Sequence, residues 1–559
     1  MKYSYQQRKY GFFVHFVHGL CRNADGTEPR SFEDAVNGFD VNGFADAVAS
    51  MGVEYLIFTA WHWRALPLYP STVTEKYRGI KLPARDLLGE IIDAITARGI
   101  DMLLYTHPRD GHDFSPTEKL AIGWGKDVPG DRPDADTFQC DKWNEYTLAL
   151  YDELLTRYGD KLSGIYTDGT GPYSKKSEKY ENTLQVIDYT RLRHKIKQKN
   201  PQMCMIQNHF GYLFSDDFEM PEGYFGFEDA HFKDTRGLPA ARKALALCPF
   251  VGGWCPENAA RGTDARKADV VQLARFVIFN ASCTVGGGTC FASGPYCEGN
   301  LFPVGVVDFM QKLGTLIRSH KESVLDAVPS VSYPTVSGDT MEKCAWRCFT
   351  ESADGKYTYL HLLKRPETEE VKIPLAVDGA ELFAPVSLCK NVEILDFVRV
   401  ADGYSLRLRG EFDEVDSVIR FTRSVPENAP RVEWYNDSDK RLRYEGTWKY
   451  TFLMQDPATH TALGSFECDY HTAMQKGSAV FTYFEGNTVS LYGNKRPGNG
   501  KAKIYIDGVF AGETDENSSQ TKNRTLLFTS IDLFGGVHTL YVVNDSDAPF
   551  ELDAICITR

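Results

Sequence analysis

No run of apolar residues in this 559-residue chain approaches the length of a membrane span, and none of its 13 cysteines forms a C-x-x-C pair. Zinc and disulfide frameworks use tighter patterns than these scattered thiols, so we read most of them as free, in a reducing compartment. Cys283, Cys290 and Cys297 repeat every seven residues, but through a Gly-rich stretch that cannot be a heptad helix. Positive charge is also in deficit. The net charge of -14 argues against a nucleic-acid partner and against an anionic membrane surface. H-E-x-x-H is absent, and so is any H-x-H pair; His15 and His18 are three apart, which on a strand points them to opposite faces. No metal and no cofactor is therefore expected. The opening segment, MKYSYQQRKYGFFVHF, has neither a long apolar core nor a cleavage site, so the default expectation is a cytoplasmic protein.

What the chain has is length and aromatic side chains. At 559 residues it is too long for one core, and two to four domains are expected. Aromatics make up 13% of it, with 8 Trp and 29 Tyr. Flat apolar rings suit sugar binding, and large β cores use them equally.

Up to about residue 325, short apolar runs alternate with helical patterns. GFFVHF (11–16), YLIFTA (55–60), DMLLYTH (101–107), SGIYTDG (163–169), MCMIQNH (203–209), YFGFED (224–229), PFVGGW (249–254) and CTVGGG (283–288) read as eight strands. The segment RDLLGEIIDAITARGI between the second and third has apolar residues at helical spacing: Leu87, Leu88, Ile91, Ile92 and Ile95. Fully apolar strands separated by helices indicate a parallel sheet covered on both faces. Eight of them predict an α/β chain with a (β/α)8 TIM-like barrel over 1–325. A doubly wound open sheet is the alternative, but the first βα turn lacks G-x-G-x-x-G. Beyond residue 325 period-two alternation takes over. It predicts two β-sandwich domains, 326–425 and 431–559, joined by the proline-bearing linker SVPENAPRVEW. Asp507-Gly508 between alternating runs marks a hairpin.

In a barrel the chemistry lies at the C-terminal ends of the strands. Those ends carry His15, then Trp61, His62, Trp63 and Arg64, then His107 with Arg109 and Asp110 beyond, then Asp168, Asn208 and His209, Glu228 and Asp229, and Trp254 with Glu257 beyond. Two chemistries suit the set. Metal-assisted hydrolysis would use the histidines, against which their spacing argues. Glycoside hydrolysis needs two carboxylates, one to attack the anomeric carbon and one to protonate the leaving oxygen. Asp168 suits the first role, because it ends a buried strand and is followed by Gly169 and Gly171, which leave room for a substrate. D-G is also a common turn dipeptide, so residue chemistry alone leaves nucleophile and turn cap open.

The barrel segment resembles the α-L-fucosidases of glycoside hydrolase family 29. GFFVHF looks like their F-x-H-W-G strand and TAWHWRAL (59–66) like their T-A-K-H-H-D-G-F strand. SGIYTDG is similar to the strand ending in W-F-D-G, and DDFEMPEGYF (216–225) to a G-D-F-x-T-P-E segment. The resemblance covers roughly residues 10–325 and implies a retaining exo-glycosidase acting on a terminal α-linked sugar of an oligosaccharide or glycoconjugate. It implies Asp168 as nucleophile and Glu228 as acid/base, with Glu219, Glu222 and Glu257 as other candidates for the acid. It also implies a sugar subsite shaped by His15, Trp61, His62, Trp63, Arg64, His107, Asn208, His209, Glu222, Trp254 and Glu257. Residues 431–559 look like a carbohydrate-binding jelly roll. The family's His-His-Asp becomes His62-Trp63-Arg64 here, which alters the sugar contacts, and a basic Arg64 would suit an acidic or otherwise changed sugar. A non-hydrolytic carbohydrate-binding protein on the same barrel is the competing reading, and a homo-oligomer stays open.

Overall fold

The computed structural model describes residues 7–108, 110–111, 114–124, 141–168, 187–208, 218–220, 245–247, 254–255, 269–284, 287–297, 302–336, 338–427, 431–452, 464–466 and 469–559. Eight parallel strands form the first sheet: β1 Tyr10–Val14, β2 Tyr55–Trp61, β3 Asp101–Thr106, β4 Gly164–Thr167, β5 Cys204–Gln207, β6 Phe218–Glu219, β7 Leu245–Leu247 and β8 Thr289–Ala292. Their order is β6-β5-β4-β3-β2-β1-β8-β7, so each of β1 to β6 pairs with its neighbours in sequence and β8 closes onto β1. Among the described residues the helices in chain order are α1 Phe32–Asn37, α2 Val41–Ser50, α3 Thr72–Arg78, α4 Leu87–Thr96, α5 Pro116–Ile122, α6 Asp141–Tyr158, α7 Tyr189–Lys199, α8 Val270–Ala281 and α9 Val306–Arg318. No helix among the described residues is long and apolar enough to cross a membrane.

The periodicity of α4 acts as expected. Leu87, Leu88, Ile91, Ile92 and Ile95 are all buried, and the Asp86 carboxylate caps the helix by accepting from Gly89 N at 2.9 Å. The five residues of β1 are buried throughout, as a strand covered on both faces requires. One face of the sheet carries a single cluster: Phe13, Tyr55, Ile57, Leu103, Tyr105, Tyr166, Cys204, Ile206, Met220, Cys290 and Ala292. The register explains its membership. Phe13 stands opposite Ile57, Ile57 opposite Leu103, and Leu103 opposite Gly164, so odd positions on β1 to β3 and even ones on β4 and β5 share this face. Gly11 is required there. A Cβ on it would sit 2.1 Å from the Tyr55 ring, whose hydroxyl donates to Gly287 O at 2.5 Å.

Two strands of the sheet come from segments not expected as strands, and β8 starts later than expected. β6 is at Phe218–Glu219, upstream of the expected Tyr224–Asp229, which lies outside the described residues. β7 is Leu245–Leu247; of the expected 249–254 only Trp254 is among the described residues. β8 begins at Thr289, after the glycines placed within the expected 283–288 run. Gly287 and Gly288 adopt left-handed backbone (φ 65° and 52°), and a Cβ on Gly288 would meet Lys9 O at 2.0 Å. They form the turn into the strand, because only glycine fits that conformation and approach.

From residue 327 onward the strands are antiparallel. β9 Ala327–Pro329, β10 Arg347–Ser352, β11 Tyr357–Leu362, β12 Glu370–Pro374, β13 Glu381–Ser387, β14 Val392–Val400, β15 Gly403–Gly410 and β16 Ser417–Ser424 make a five-stranded and a three-stranded sheet. Their inner faces share one core, with Leu360 and Phe421 from one sheet and Leu406 and Ile373 from the other. Arg423 on β16 ties this sandwich internally. It is 5% exposed and donates to Glu351 at 2.5 Å and to Asp378 at 3.1 Å. Ser332 adds a third contact, accepting from the same guanidinium at 2.7 Å.

The last eleven strands run from β17 Val432–Asn436 to β27 Phe550–Thr558. They are β18 Arg443–Glu445, β19 Trp448–Phe452, β20 Asp469–Ala473, β21 Ala479–Glu485, β22 Thr488–Lys495, β23 Lys501–Ile506, β24 Val509–Asp515, β25 Lys522–Thr529 and β26 Val537–Asn544 between those two. They form two sheets around a core that includes Leu491, Ile504, Val542 and Ile555. The Asp507-Gly508 hairpin joins β23 to β24 with both residues at positive φ, 50° and 76°. The ten cysteines among the described residues are all free thiols.

Candidate active site

Asp168 follows directly on β4. Its amide donates to Thr106 O at 2.9 Å, so the pairing of β4 with β3 extends up to the carboxylate. Counting from Gly164 and Tyr166, Asp168 falls on the face of the aromatic cluster. Both carboxylate oxygens are engaged: Tyr105 Oη donates to Oδ2 at 2.5 Å and Asn208 Nδ2 donates to Oδ1 at 2.7 Å. Two donors on separate oxygens fix its plane. The group is half-buried. The side chains that hold it come from β3 and from the end of β5.

Tyr105 organises the rest. Its ring centroid lies 4.6 Å from His15, 5.4 Å from His62 and 5.6 Å from Tyr166. His15 lies 5.6 Å from His62 and 5.2 Å from Trp254, and Trp254 packs on Phe13 at 5.0 Å. Burial, reinforced by the neighbouring His62, pushes His15 down from 6.5 to about 3, so it is neutral at ordinary pH. Folded His15 then resists protonation while the unfolded chain accepts a proton near 6.5. Its share of stability is intact above that value and is lost as pH falls from 6.5 toward 3. In calorimetric scans across this window, His15→Gln is expected to flatten the fall in Tm relative to the parent; an unchanged slope would refute the assignment.

His62 and His107 stack at 4.9 Å with their rings 6° apart, and both present Nδ1 to the buried Asp110. Asp110 Oδ2 meets His62 Nδ1 at hydrogen-bond range, and Asp110 Oδ1 lies 3.4 Å from His107 Nδ1. These three residues are the one group among the described residues with ligand atoms close enough to hold a metal, all within 4.8 Å. The carboxylate, however, contacts His62 directly, in the place a shared ion would need. The arrangement is that of one carboxylate orienting two imidazoles, each with its Nε2 edge directed away from Asp110.

Several expected residues thus come together: His15, His62, His107, Asp168, Asn208 and Trp254. Trp61 does not join them. The β2–β3 register slips between Thr59 and Trp61, so Thr59 stands opposite Tyr105 but Trp61 stands opposite Thr106. That bulge turns Trp61 toward the helices, where it is 2% exposed with its ring 5.0 Å from Tyr151 of α6. Arg64 is exposed, at φ 62° in the turn after β2, and its carbonyl accepts from Arg78 at 2.8 Å. Trp63 lies in the same turn. His209, Glu222, Glu228 and Glu257 lie outside the described residues, as do Arg109 and Asp229, and Glu219 is described through its backbone in β6. Tyr105 was missed as a site residue, and Asp110 was named at the strand end but given no role. Tyr105 sits two residues before His107 on the same strand, so its parity could have flagged it. Asp110 stood beyond the strand end and gained its role only from the return of the loop onto His62.

These groups lie at the C-terminal edge of an eight-stranded parallel sheet, the edge at which barrel folds carry their sites. Residues 31–233 match the family model described as Alpha-L-fucosidase. The chain is 27% identical over 204 residues to a protein of Oryza sativa subsp. japonica named "Putative alpha-L-fucosidase 1", covering 35% of this chain and 34% of that one. It thus spans about a third of that curated relative, and less of the others it matches. Among solved structures, a bacterial fucosidase with a bound inhibitor aligns with a TM-score of 0.54 at 15% identity, covering 76% of this chain and 94% of that one. An α-L-fucosidase from Vibrio sp. strain EJY3 aligns over 99% of this chain and 96% of its own, with a TM-score of 0.52 and 14% identity. At such identities the structural likeness is one of fold.

Proposed function

We propose that this protein is a retaining exo-glycosidase of the α-L-fucosidase type, with Asp168 as the attacking carboxylate. The observation that carries the reading is the hold on Asp168 by Tyr105 at 2.5 Å and Asn208 at 2.7 Å, at the C-terminal end of β4. In double displacement this carboxylate attacks the anomeric carbon while an acid protonates the leaving oxygen. Water then releases the sugar, activated by the same acid in its basic form. A Bacteroides thetaiotaomicron α-L-fucosidase aligned at a TM-score of 0.51 is described as a trapped covalent intermediate, which is the species this route passes through.

Glu228 remains our choice for the acid, ahead of Glu222, Glu219 and Glu257. The eight strands close as a full barrel in this reading, followed by the two sandwiches over 326–425 and 431–559. His15 Nδ1 and Trp254 Nε1 are buried polar atoms without a hydrogen-bond partner among the described residues, which suits them to sugar hydroxyls. His62, His107 and the expected His209 complete that subsite. The substrate class is an oligosaccharide or glycoconjugate bearing a terminal α-linked sugar, fucose being the first to try. The free thiols support a reducing, cytoplasmic compartment.

Labelling with a fluorinated fucosyl fluoride, followed by peptide mass mapping, is expected to place one sugar on Asp168. A label on any other carboxylate refutes the assignment, and tight binding with no turnover on any aryl glycoside would favour the non-hydrolytic reading. Tyr105→Phe keeps the ring stack and removes the donor to Asp168. It is expected to lower kcat by about ten- to a hundredfold, the worth of one hydrogen bond to a charged group, with KM little changed. An unchanged kcat would show that the phenol only fills space.

A further inference from the structure

A second groove, of about 680 Å³, opens on the first β-sandwich between the segment entering β10 and the β11–β12 connection. Its size is that of a small-ligand site. Its floor is apolar, from the buried Leu362 and Val371, and one wall is Trp346. Trp346 and the preceding Ala345 both hold left-handed backbone, φ 60° and 51°. Neither is glycine, so two consecutive residues store strain that only their surroundings can maintain. Those surroundings are backbone bonds: Trp346 N donates to Met341 O at 2.7 Å and Leu363 N to Trp346 O at 2.9 Å. The strained turn therefore holds the indole at the groove.

Cations gather around it. Lys364 Nζ lies 5.4 Å from the Trp346 ring centroid and the Arg275 guanidinium 5.7 Å. Both lie farther from their ring than Arg441 does from Tyr435, at 3.5 Å. Arg347 is partly buried and donates to Lys372 O at 2.7 Å, with no ion pair to a carboxylate among the described residues. Burial lowers its pKa, as expected of a cation lacking a counter-charge. Arg365 and Lys372 also line the groove. Its acids are Glu342, Glu367 and Glu370, and Glu370 is engaged by the Ser405 hydroxyl at 2.7 Å. Four lining cations against three acids leave a local positive excess in a chain whose net charge is -14.

We propose that this groove binds an acidic saccharide, with a pyranose ring against Trp346 and its sulfate or carboxylate held by Arg347 and Lys364. An aromatic wall alone would fit any sugar, and the uncompensated guanidinium selects an anionic one. Titration calorimetry on the full chain carrying Asp168→Asn, with sulfolactose, sialyllactose, lactose and inorganic sulfate as probes, tests this. Either acidic sugar is expected to bind about tenfold or more tighter than lactose and than sulfate alone, and to weaken as salt rises. Trp346→Ala and, separately, the exposed Lys364→Gln are each expected to weaken that binding by about three- to tenfold. Lactose binding as well as its acidic derivatives overturns the charge assignment. Sulfate alone matching the sugars overturns the saccharide. Affinity unchanged in Lys364→Gln places the ligand elsewhere, and because that side chain is exposed this arm does not depend on Trp346→Ala folding.

Discussion

Asp168→Gly is expected to lower turnover of nitrophenyl α-L-fucoside by about 10^4-fold or more, and azide is expected to restore much of the lost rate. The substitution removes the attacking carboxylate but leaves both groups that held it. Tyr105 Oη and Asn208 Nδ2 then converge on a vacated, anion-sized space that they already serve as donors. A small anion entering there meets the same face of the sugar, and one displacement gives a glycosyl azide of inverted configuration. The activated leaving group matters, because it needs little help from the acid. Rescue by azide with an inverted product separates loss of the nucleophile from loss of the fold. A rate within tenfold of the parent would sink the nucleophile assignment. So would a dead variant that azide cannot rescue but whose Asp168→Asn counterpart stays active.

The second large effect is on stability. Arg423→Met is expected to destabilise the first sandwich by about 3–5 kcal/mol, because it leaves two carboxylates buried without their cation. Glu351 is 3% exposed and Asp378 6%, and the one guanidinium serves both. Methionine fills similar space, so the loss is electrostatic and not a cavity. For a domain of this size the calorimetric transition should fall by roughly ten degrees or more. Adding Glu351→Gln and Asp378→Asn should recover a large part, since neutral amides cost less to bury than unpaired charges. A fall of under about two degrees would mean that water reaches the carboxylates and the network is not closed.

The strands that carry the site were legible where composition and position agree. GFFV, YLIFTAW and GIYT are apolar, β-branched or aromatic, and end on polar residues, and they form β1, β2 and β4. β8 was displaced because CTVGGG looks apolar in sequence, while its glycines are demanded by a left-handed turn and a close approach to Lys9. Asp168 could be placed from the strand pattern, but its state could not. Whether it was a cap or a reactive group depended on Tyr105 and Asn208, which lie 63 and 40 residues away along the chain. Asp110 was harder still, since a residue beyond a strand end has no parity to read. Its role follows from where the loop returns, and that is a tertiary property.

Trp61 and His62 are neighbours, and one extra residue in β2 decides which of them turns toward His15 and Tyr105. The bulge acts as a frame shift in side-chain parity. Upstream of it the odd positions point inward, and downstream the even ones do. Taking Ala60 into the ladder opposite Thr106, in place of Trp61, would exchange the two residues, turning an indole inward and an imidazole toward Tyr151. Deleting Ala60 would instead leave Trp61 opposite Thr106, where it already stands. The polarity of this strand end is therefore set by which residue the bulge leaves out of the ladder as much as by residue identity.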